Sequence, residues 1–509
     1  AVQAGREIFL AGGNAFDAAV AVAATLAVVE PYNSGLGGGG FFLLQRRGEP
    51  ALMLDARETA PAAARADMYR AAPEQSLDGA LAAGIPGVPA ALDHLARRYG
   101  RLPLARSLAP AIRHAAMGFE TDAQYQRMAG WRRAALAANP DAAAIFLDEG
   151  DAPEPETRIR QPGLASTLGA LAESGAAGFY TGPVAAELVR AVRAGGGNWT
   201  LADLENYRVF ERAPQVFRYR GATITTAALP SSGGLTLAQG FNILAALPAP
   251  ADEAERAHFF AEALRRAYQD RARHLGDPAF AAPPAELATP AYAAARARTI
   301  SRERATPSVE LDAAPPAARE AEQTTHFSLV DRDGNRVSAT LSINGPFGAA
   351  VVAGKTGVLL NNEMDDFVSA PGVPNLYGLV GGKANAIAPG KRPLSSMSPA
   401  IVEDARGTLV VGSPGGSRII SQVMLAIEDY LNHEKVDLKR MVTRPRMHHQ
   451  YLPDRLEIEP GALAADMLIA LGRMGHTVEV NPRGWGDMQA VFVDAGSCET
   501  QAASDPRGE

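Results

Sequence analysis

The sequence predicts an α+β protein, and three observations carry that expectation. Residues 4–30 show apolar spacing of helical period, residues 60–300 are alanine-rich and mostly helical in pattern, and beyond residue 324 the period shifts to the alternation of strands. With 509 residues, 47% hydrophobic and 21% charged, the chain can bury a large core as one domain or two intimate ones.

Taken in order, the apolar run Ala18 to Val29 lies between Asp17 and Glu30. It falls short of the roughly 18–20 residues that cross a bilayer, so it reads as a buried helix. The run Gly35-Leu36-Gly37-Gly38-Gly39-Gly40 then leads into a strand, Phe41 to Gln45. Its letters fit a dinucleotide loop, but that loop must run from strand to helix, and here the order is reversed. A tight turn packed against other backbone is the better reading. A hairpin around Arg47-Gly48-Glu49-Pro50 brings the chain to Leu54-Asp55-Ala56-Arg57-Glu58. Gly84 to Pro89 and Pro230-Ser231-Ser232-Gly233-Gly234 punctuate the helical region. Residues 301–323 turn polar and Pro/Ala/Glu-rich, which predicts an exposed, mobile linker. After it, His326 to Asp331 and Arg336 to Leu341 flank an Asp-Gly turn and read as a β-hairpin. Further strands are expected at Gly357 to Leu360, Leu409 to Val411, Leu456 to Ile458 and Ala490 to Val493.

The net charge of −7 gives no general attraction to nucleic acid or anionic membrane, so small molecules are the expected partners. One cysteine, Cys498, excludes an internal disulfide and a thiolate metal cluster. The nine histidines include no His-Glu-x-x-His pair, and the adjacent His448 and His449 read as structural. There is no Gly-x-Ser-x-Gly elbow, Walker A motif or zinc knuckle. The chain opens without methionine inside an expected helix, which suggests that an upstream segment has been removed and leaves any secretion signal unread.

Four segments and one arginine are candidates for chemistry. Thr324-Thr325 opens a strand directly after the linker. If the preceding peptide bond is cut, a threonine gains an α-amine that titrates at about 7.7–8.0, against about 10.4 for lysine, and can act as its own general base. The alternative is plain β-propensity, and the dipeptide alone does not say which threonine is meant. Gly412-Ser413-Pro414-Gly415-Gly416 joins a strand to a helical stretch with Ile419, Ile420, Val423, Met424 and Ile427 on one face. Backbone N–H groups there would form an oxyanion cradle, or the loop is an ordinary strand-to-helix turn. Glu363-Met364-Asp365-Asp366 beside Asn361 and Asn362, and Leu394-Ser395-Ser396-Met397-Ser398, offer carboxylates and hydroxyls; singly, such groups are usually solvated turns or helix caps. Arg57 would clamp a carboxylate, although a surface salt bridge is the commoner fate.

Together these stretches, in order along nearly the whole chain, resemble the γ-glutamyltranspeptidase (glutathione hydrolase) family of N-terminal-nucleophile hydrolases. The resemblance rests on Ser34 to Phe41, Asp55 to Glu58, Pro230 to Gly234, Thr324 to Ser328, Asn361 to Phe367, Pro393 to Pro399 and Gly412 to Gly416. It implies a four-layer αββα sandwich that cleaves itself between Gln323 and Thr324. The products would be a large subunit, 1–323, carrying the 301–323 linker, and a small catalytic subunit, 324–509, intertwined as one domain.

By the same resemblance Thr324 is the nucleophile, and Gly415 and Gly416 are the oxyanion donors. Arg57, Ser395 and Ser396 hold the substrate α-carboxylate, while Asn344, Glu363 and Asp366 hold its α-amine. Val368 to Gly378, with Tyr377, resembles a lid loop of some bacterial members. Ser342 stands where many members have a threonine that supports the nucleophile, and the retained hydroxyl implies a modest effect. Neither metal nor organic cofactor is implied. The expected partners are γ-glutamyl donors such as glutathione and amino-acid or dipeptide acceptors, and the family implies a periplasmic or extracellular location. The alternatives are a cephalosporin or glutaryl acylase of the same fold, a poly-γ-glutamate depolymerase, or a non-processing binding homologue. Glu363 and Asp366 argue against the acylase, since a glutaryl group would leave them unpaired.

Overall fold

Asn14 starts the central helix, Ala15–Val29: its side chain accepts from the N–H of Phe16 and Asp17, and Asp17 reciprocates to the Asn14 N–H at 2.9 Å. Asp17 is fully buried because it also accepts the N–H groups of Arg101 and Leu102 at 2.9 and 3.1 Å. The expected 4–30 helix is thus two helices, Val2–Leu10 and Ala15–Val29, separated by Gly12 at φ +88°.

This computed structural model describes residues 1–311, 324–368 and 373–508. They form two units, each drawing on both sides of residues 312–323. Among the described residues the first holds 1–212, 324–368 and 387–393, and the second holds 213–311, 373–386 and 394–508.

The first unit is built on a five-stranded antiparallel sheet in the order Phe210–Arg212, Leu52–Asp55, Gly39–Gln45, Arg336–Ser342, Thr325–Val330. Phe42, Leu44 and Leu54 join Ala15–Val29 and the helices Leu104–Met117 and Pro162–Ser174 in one apolar core. The turn before the central strand is packed as expected: a Cβ on Gly37 would lie 2.0 Å from the Leu359 carbonyl, and one on Gly39 would lie 2.5 Å from both the Ala56 carbonyl and Glu58 Oε2. No residue with a side chain fits there.

The second unit carries a six-stranded antiparallel sheet in the order Thr500–Ser504, Gln489–Asp494, Gly407–Gly412, Ala400–Asp404, Ala222–Thr226, Gln215–Tyr219. Helices Gly233–Ala246, Glu253–His274 and Ile419–Asn432 belong to it, and every residue of Gly407–Gly412 is buried. Among the described residues, no helix is long and apolar enough to cross a membrane.

Three expectations need correction. Gly357 to Leu360 is not a strand: only the single bridges Gly37↔Leu360 and Val352↔Leu359 form, after a turn with Gly357 at φ +67°. The expected helical region contains the hairpin Gln215–Tyr219/Ala222–Thr226, whose turn residues Arg220 and Gly221 both have positive φ, 46° and 86°. Arg-Gly adopts this turn without the Asn-Gly or Asp-Gly letters that announce it. Part of the expected mobile linker, 301–311, is anchored: Thr306 N–H donates to Glu262 at 3.0 Å, Ala305 N–H to the Met474 carbonyl at 2.7 Å, and fully buried Ser308 accepts from Arg265 at 2.8 Å. Residues 312–323, including Gln323, lie outside the described residues.

Candidate active site

In the first unit the strand registers bring the predicted residues to one end of the sheet. Phe41 pairs with Asp55, Gly39 with Ser342 and Thr325 with Leu341. Carried one or two residues further, these registers set Arg57 opposite Gly39 and Thr324 opposite Ser342. Arg57 therefore follows the end of Leu52–Asp55 and Thr324 precedes the start of Thr325–Val330 at the same end of the sheet, with Gly39 paired to Ser342 between those strands. Thr324 is 3% exposed, and its neighbour Thr325 donates its hydroxyl to the half-buried Glu30 carboxylate at 3.2 Å.

Arg57 is not on the surface, as an isolated salt bridge would be, but fully buried. Its guanidinium pairs with Glu363 Oε2 at 2.7 Å and with Asp366, and its Nε donates to the Pro393 carbonyl at 3.1 Å. Glu58 lies 3.5 Å away on the other side. Behind them Arg392 donates to Asp55 at 2.6 Å and to the Arg57 carbonyl at 3.0 Å, and Arg212 reaches Asp55 at 2.8 Å. This largely buried network, with Arg212 and Asp366 half-buried at its edges, holds three cations, Arg57, Arg212 and Arg392, against four carboxyls, Asp55, Glu58, Glu363 and Asp366. The crowding has a titration consequence: burial lifts Glu58 to about 7 despite Arg57, and lifts Glu363 well above the carboxylate range.

The asparagines order the backbone around that cluster. Asn361 donates to the carbonyls of Gly37 and Gly84 at 2.6 and 2.8 Å and accepts from the N–H of Gly84 and Glu363. It ties the glycine turn to the short 3-10 turn Glu363–Asp366. Asn344, at φ +72°, donates to the Asn362 carbonyl at 2.9 Å, and its own N–H donates to the Ser342 hydroxyl at 2.8 Å.

In the second unit the Pro230–Gly234 loop clasps the serine loop. Ser395 N–H donates to the Pro230 carbonyl at 2.9 Å, and the N–H and hydroxyl of Ser232 both donate to the Ser395 carbonyl. Arg271, 5% exposed, spans the two loops by donating to the hydroxyls of Ser232 at 2.9 Å and Ser396 at 3.1 Å. Sequence reasoning passed over Arg271 because it sits inside the ordinary helical pattern of Glu253–His274.

The Gly412–Gly416 loop does join a strand, Gly407–Gly412, to a 3-10 turn and the helix Ile419–Asn432. Gly415 and Gly416 have φ +127° and +54°. Among the described residues neither of their N–H groups is taken up by a hydrogen bond. A Cβ on Gly416 would fall 2.3 Å from the Tyr377 ring, and one on Gly415 would fall 2.5 Å from Gln422 Nε2. Gln422 braces the loop, accepting from the Ser413 hydroxyl at 2.8 Å and donating to the Pro414 carbonyl at 2.9 Å. Of the lid-like stretch 368–378, residues 369–372 lie outside the described residues; Tyr377 is buried beside Gly416, and its carbonyl accepts from Gln450 at 3.1 Å. His448 and His449 are buried in hydrogen bonds to Ser421 and the Tyr451 N–H, and burial keeps both neutral.

The chain matches the family model described as gamma-glutamyltranspeptidase over residues 1–509. It is 40% identical to the glutathione hydrolase proenzyme of Escherichia coli K12, covering 100% of this chain and 89% of that one. It is 42% identical to the glutathione hydrolase proenzyme of Pseudomonas aeruginosa, covering 99% and 90%. Among solved structures, the cephalosporin acylase from Bacillus halodurans superposes with a TM-score of 0.86 at 27% identity, covering 99% of this chain and 92% of that one. With the family match running from end to end, this chain belongs to the γ-glutamyltranspeptidase family, enzymes of the N-terminal-nucleophile hydrolase type with an α+β fold.

Proposed function

We propose that this enzyme is a γ-glutamyltransferase and glutathione hydrolase that cleaves itself between Gln323 and Thr324 into subunits 1–323 and 324–509. The observation that carries the reading is the alignment of Arg57, Gly39, Ser342 and Thr324 at one end of a single sheet.

The head group of a γ-glutamyl substrate is a zwitterion. Arg57 already faces Glu363 and Asp366, so a bound zwitterion replaces these contacts with its own carboxylate and ammonium. The α-carboxylate goes to Arg57 with Ser395 and Ser396, and the α-ammonium goes to Glu363, Asp366 and Asn344. That exchange limits the cost of burying charge. Two-ended recognition holds the γ-carbonyl in one place, which is worth more than affinity alone.

After cleavage the Thr324 α-amine takes the Oγ proton as Oγ bonds to the γ-carbonyl carbon. The oxyanion is stabilised by the N–H groups of Gly415 and Gly416. The ammonium returns the proton to the leaving nitrogen, the C–N bond breaks, and a γ-glutamyl-Thr324 ester remains. Water or the amine of an amino acid or dipeptide then attacks the ester, and the proton moves back through the same amine. Ser342, which fixes the Asn344 N–H, supports the strand end next to Thr324. The same family reading puts the enzyme in the periplasm or outside the cell.

The competing reading is a glutaryl acylase, favoured by the superposition on the cephalosporin acylase. The carboxylates decide between them. Kinetics on γ-glutamyl and glutaryl anilides with the same leaving group should favour γ-glutamyl by about 100-fold or more in kcat/KM. A preference for glutaryl would overturn the proposal in favour of the acylase.

A further inference from the structure

The second unit contains a cavity of about 820 Å³ lined by none of Tyr377, Ser395, Ser396, Gly415 or Gly416. Its wall includes Arg220 from the hairpin turn, Arg256 from helix Glu253–His274, Glu428 and Asp429 from helix Ile419–Asn432, and Arg440 and Arg444 beyond it. The volume is that of small-molecule sites.

The charges there are incompletely matched. Asp429 accepts from Arg440 at 2.9 Å, and Glu253 accepts from Arg256 at 2.7 Å. Glu428 is 6% exposed, and its Oε2 has no hydrogen-bond partner; the nearest guanidinium nitrogen, on Arg256, stands 3.8 Å off. A buried carboxylate oxygen left without a donor is costly, and proteins rarely keep one without a use for it. Arg220 is exposed, stacks over Tyr219 at 5.2 Å and donates to the neutral Asn432 side chain. Arg220, Arg256 and Arg444 line the same cavity as Glu428, and burial pushes the Glu428 carboxyl up.

We propose that this cavity binds a small zwitterion, a free amino acid or short peptide, with its ammonium on Glu428 and its carboxylate on Arg220 and Arg444. A purely anionic ligand would satisfy the arginines but meet the Glu428 carboxylate. An amine alone would leave Arg220 as it is. A molecule carrying both charges answers both, and 820 Å³ leaves room for a dipeptide.

The test is isothermal titration calorimetry of glycylglycine, acetate and methylammonium into the whole protein and into Glu428→Gln and Arg220→Gln. Arg220 is exposed, so its substitution leaves the fold intact even if the buried Glu428 variant unfolds. Glycylglycine should bind the wild type at least about tenfold more tightly than either half-ligand, and each substitution should weaken it about tenfold or more. Turnover of a γ-glutamyl anilide without acceptor should be unchanged in both variants, and any binding elsewhere on the protein persists in both. Equal dipeptide heats in wild type and Arg220→Gln, or half-ligands that bind as tightly as the dipeptide, would overturn the proposal.

Discussion

The two sets of candidate residues are made from opposite materials. Around Arg57 the first unit packs ionisable groups into its interior, with Arg57, Glu58 and Glu363 each no more than 1% exposed. Around Gly416 and Ser396 the second unit uses neutral hydroxyls, backbone N–H groups and the absence of side chains. Charges recognise a charged head group but are costly to bury and titrate; dipoles on a braced loop stabilise transient charge and depend on shape instead. The first set should therefore fail through charge and pH, and the second through volume.

The largest effect short of deleting the nucleophile is expected in the second set. Gly416→Ala drives a methyl into the Tyr377 ring and forces a backbone at φ +54° to carry a side chain. Turnover on a γ-glutamyl anilide should fall by about 10²–10³-fold in kcat, as for loss of an oxyanion donor. A rise in KM alone would mean that the loop binds substrate rather than stabilising the transition state.

In the first set Asp366→Ala leaves Arg57 with one carboxylate fewer and, on the proposed binding mode, removes an acceptor for the substrate amine. It should reduce kcat/KM on γ-glutamyl substrates by about 100-fold. Glutaryl substrates, which bring no amine, should lose far less, and equal losses on both would count against the amine role.

Arg271 spans the comparison, being a charge used to hold hydroxyls. Arg271→Met should raise KM about tenfold, the value of a charged hydrogen bond, with a smaller change in kcat. A drop in kcat with KM unchanged would place Ser396 in the chemistry instead of the binding.

The smallest effect concerns stability. Folding raises Glu58 to about 7, so the folded state holds a proton that the unfolded chain gives up at ordinary carboxyl pH. That contribution is fully present below the unfolded value and is lost as pH rises through about 7. The melting temperature of the wild type should therefore decline from pH 5 to pH 8 by at least about 2 °C more than that of Glu58→Gln. Parallel profiles would show that Glu58 keeps its charge throughout.

Much of the fold was legible where the signal is local. The buried helix at 15–29, the packed glycine turn, the hairpin after residue 324 and the strand-loop-helix at 407–432 all follow from periodicity and from glycines with no space beside them. Signals that span the chain were not legible. Arg57 reads locally as a surface cation, and its burial depends on Glu363, Asp366 and Pro393, about three hundred residues away. Arg271 carries no motif of its own, and the bracing roles of Asn361 and Arg271 exist only once the turns they join are adjacent. Thr324 could not be separated from Thr325 by composition. The family resemblance singles out Thr324, and the fold adds that Thr325 is engaged with Glu30.

The central claim is that Thr324 becomes an N-terminus. Intact mass spectrometry of the purified protein under denaturing conditions tests it most directly. Two polypeptides, the smaller beginning at Thr324, are predicted, with Thr324→Ala remaining one chain. A wild-type protein that stays a single 509-residue chain, or a Thr324→Ala protein that is cleaved and active, would contradict the account.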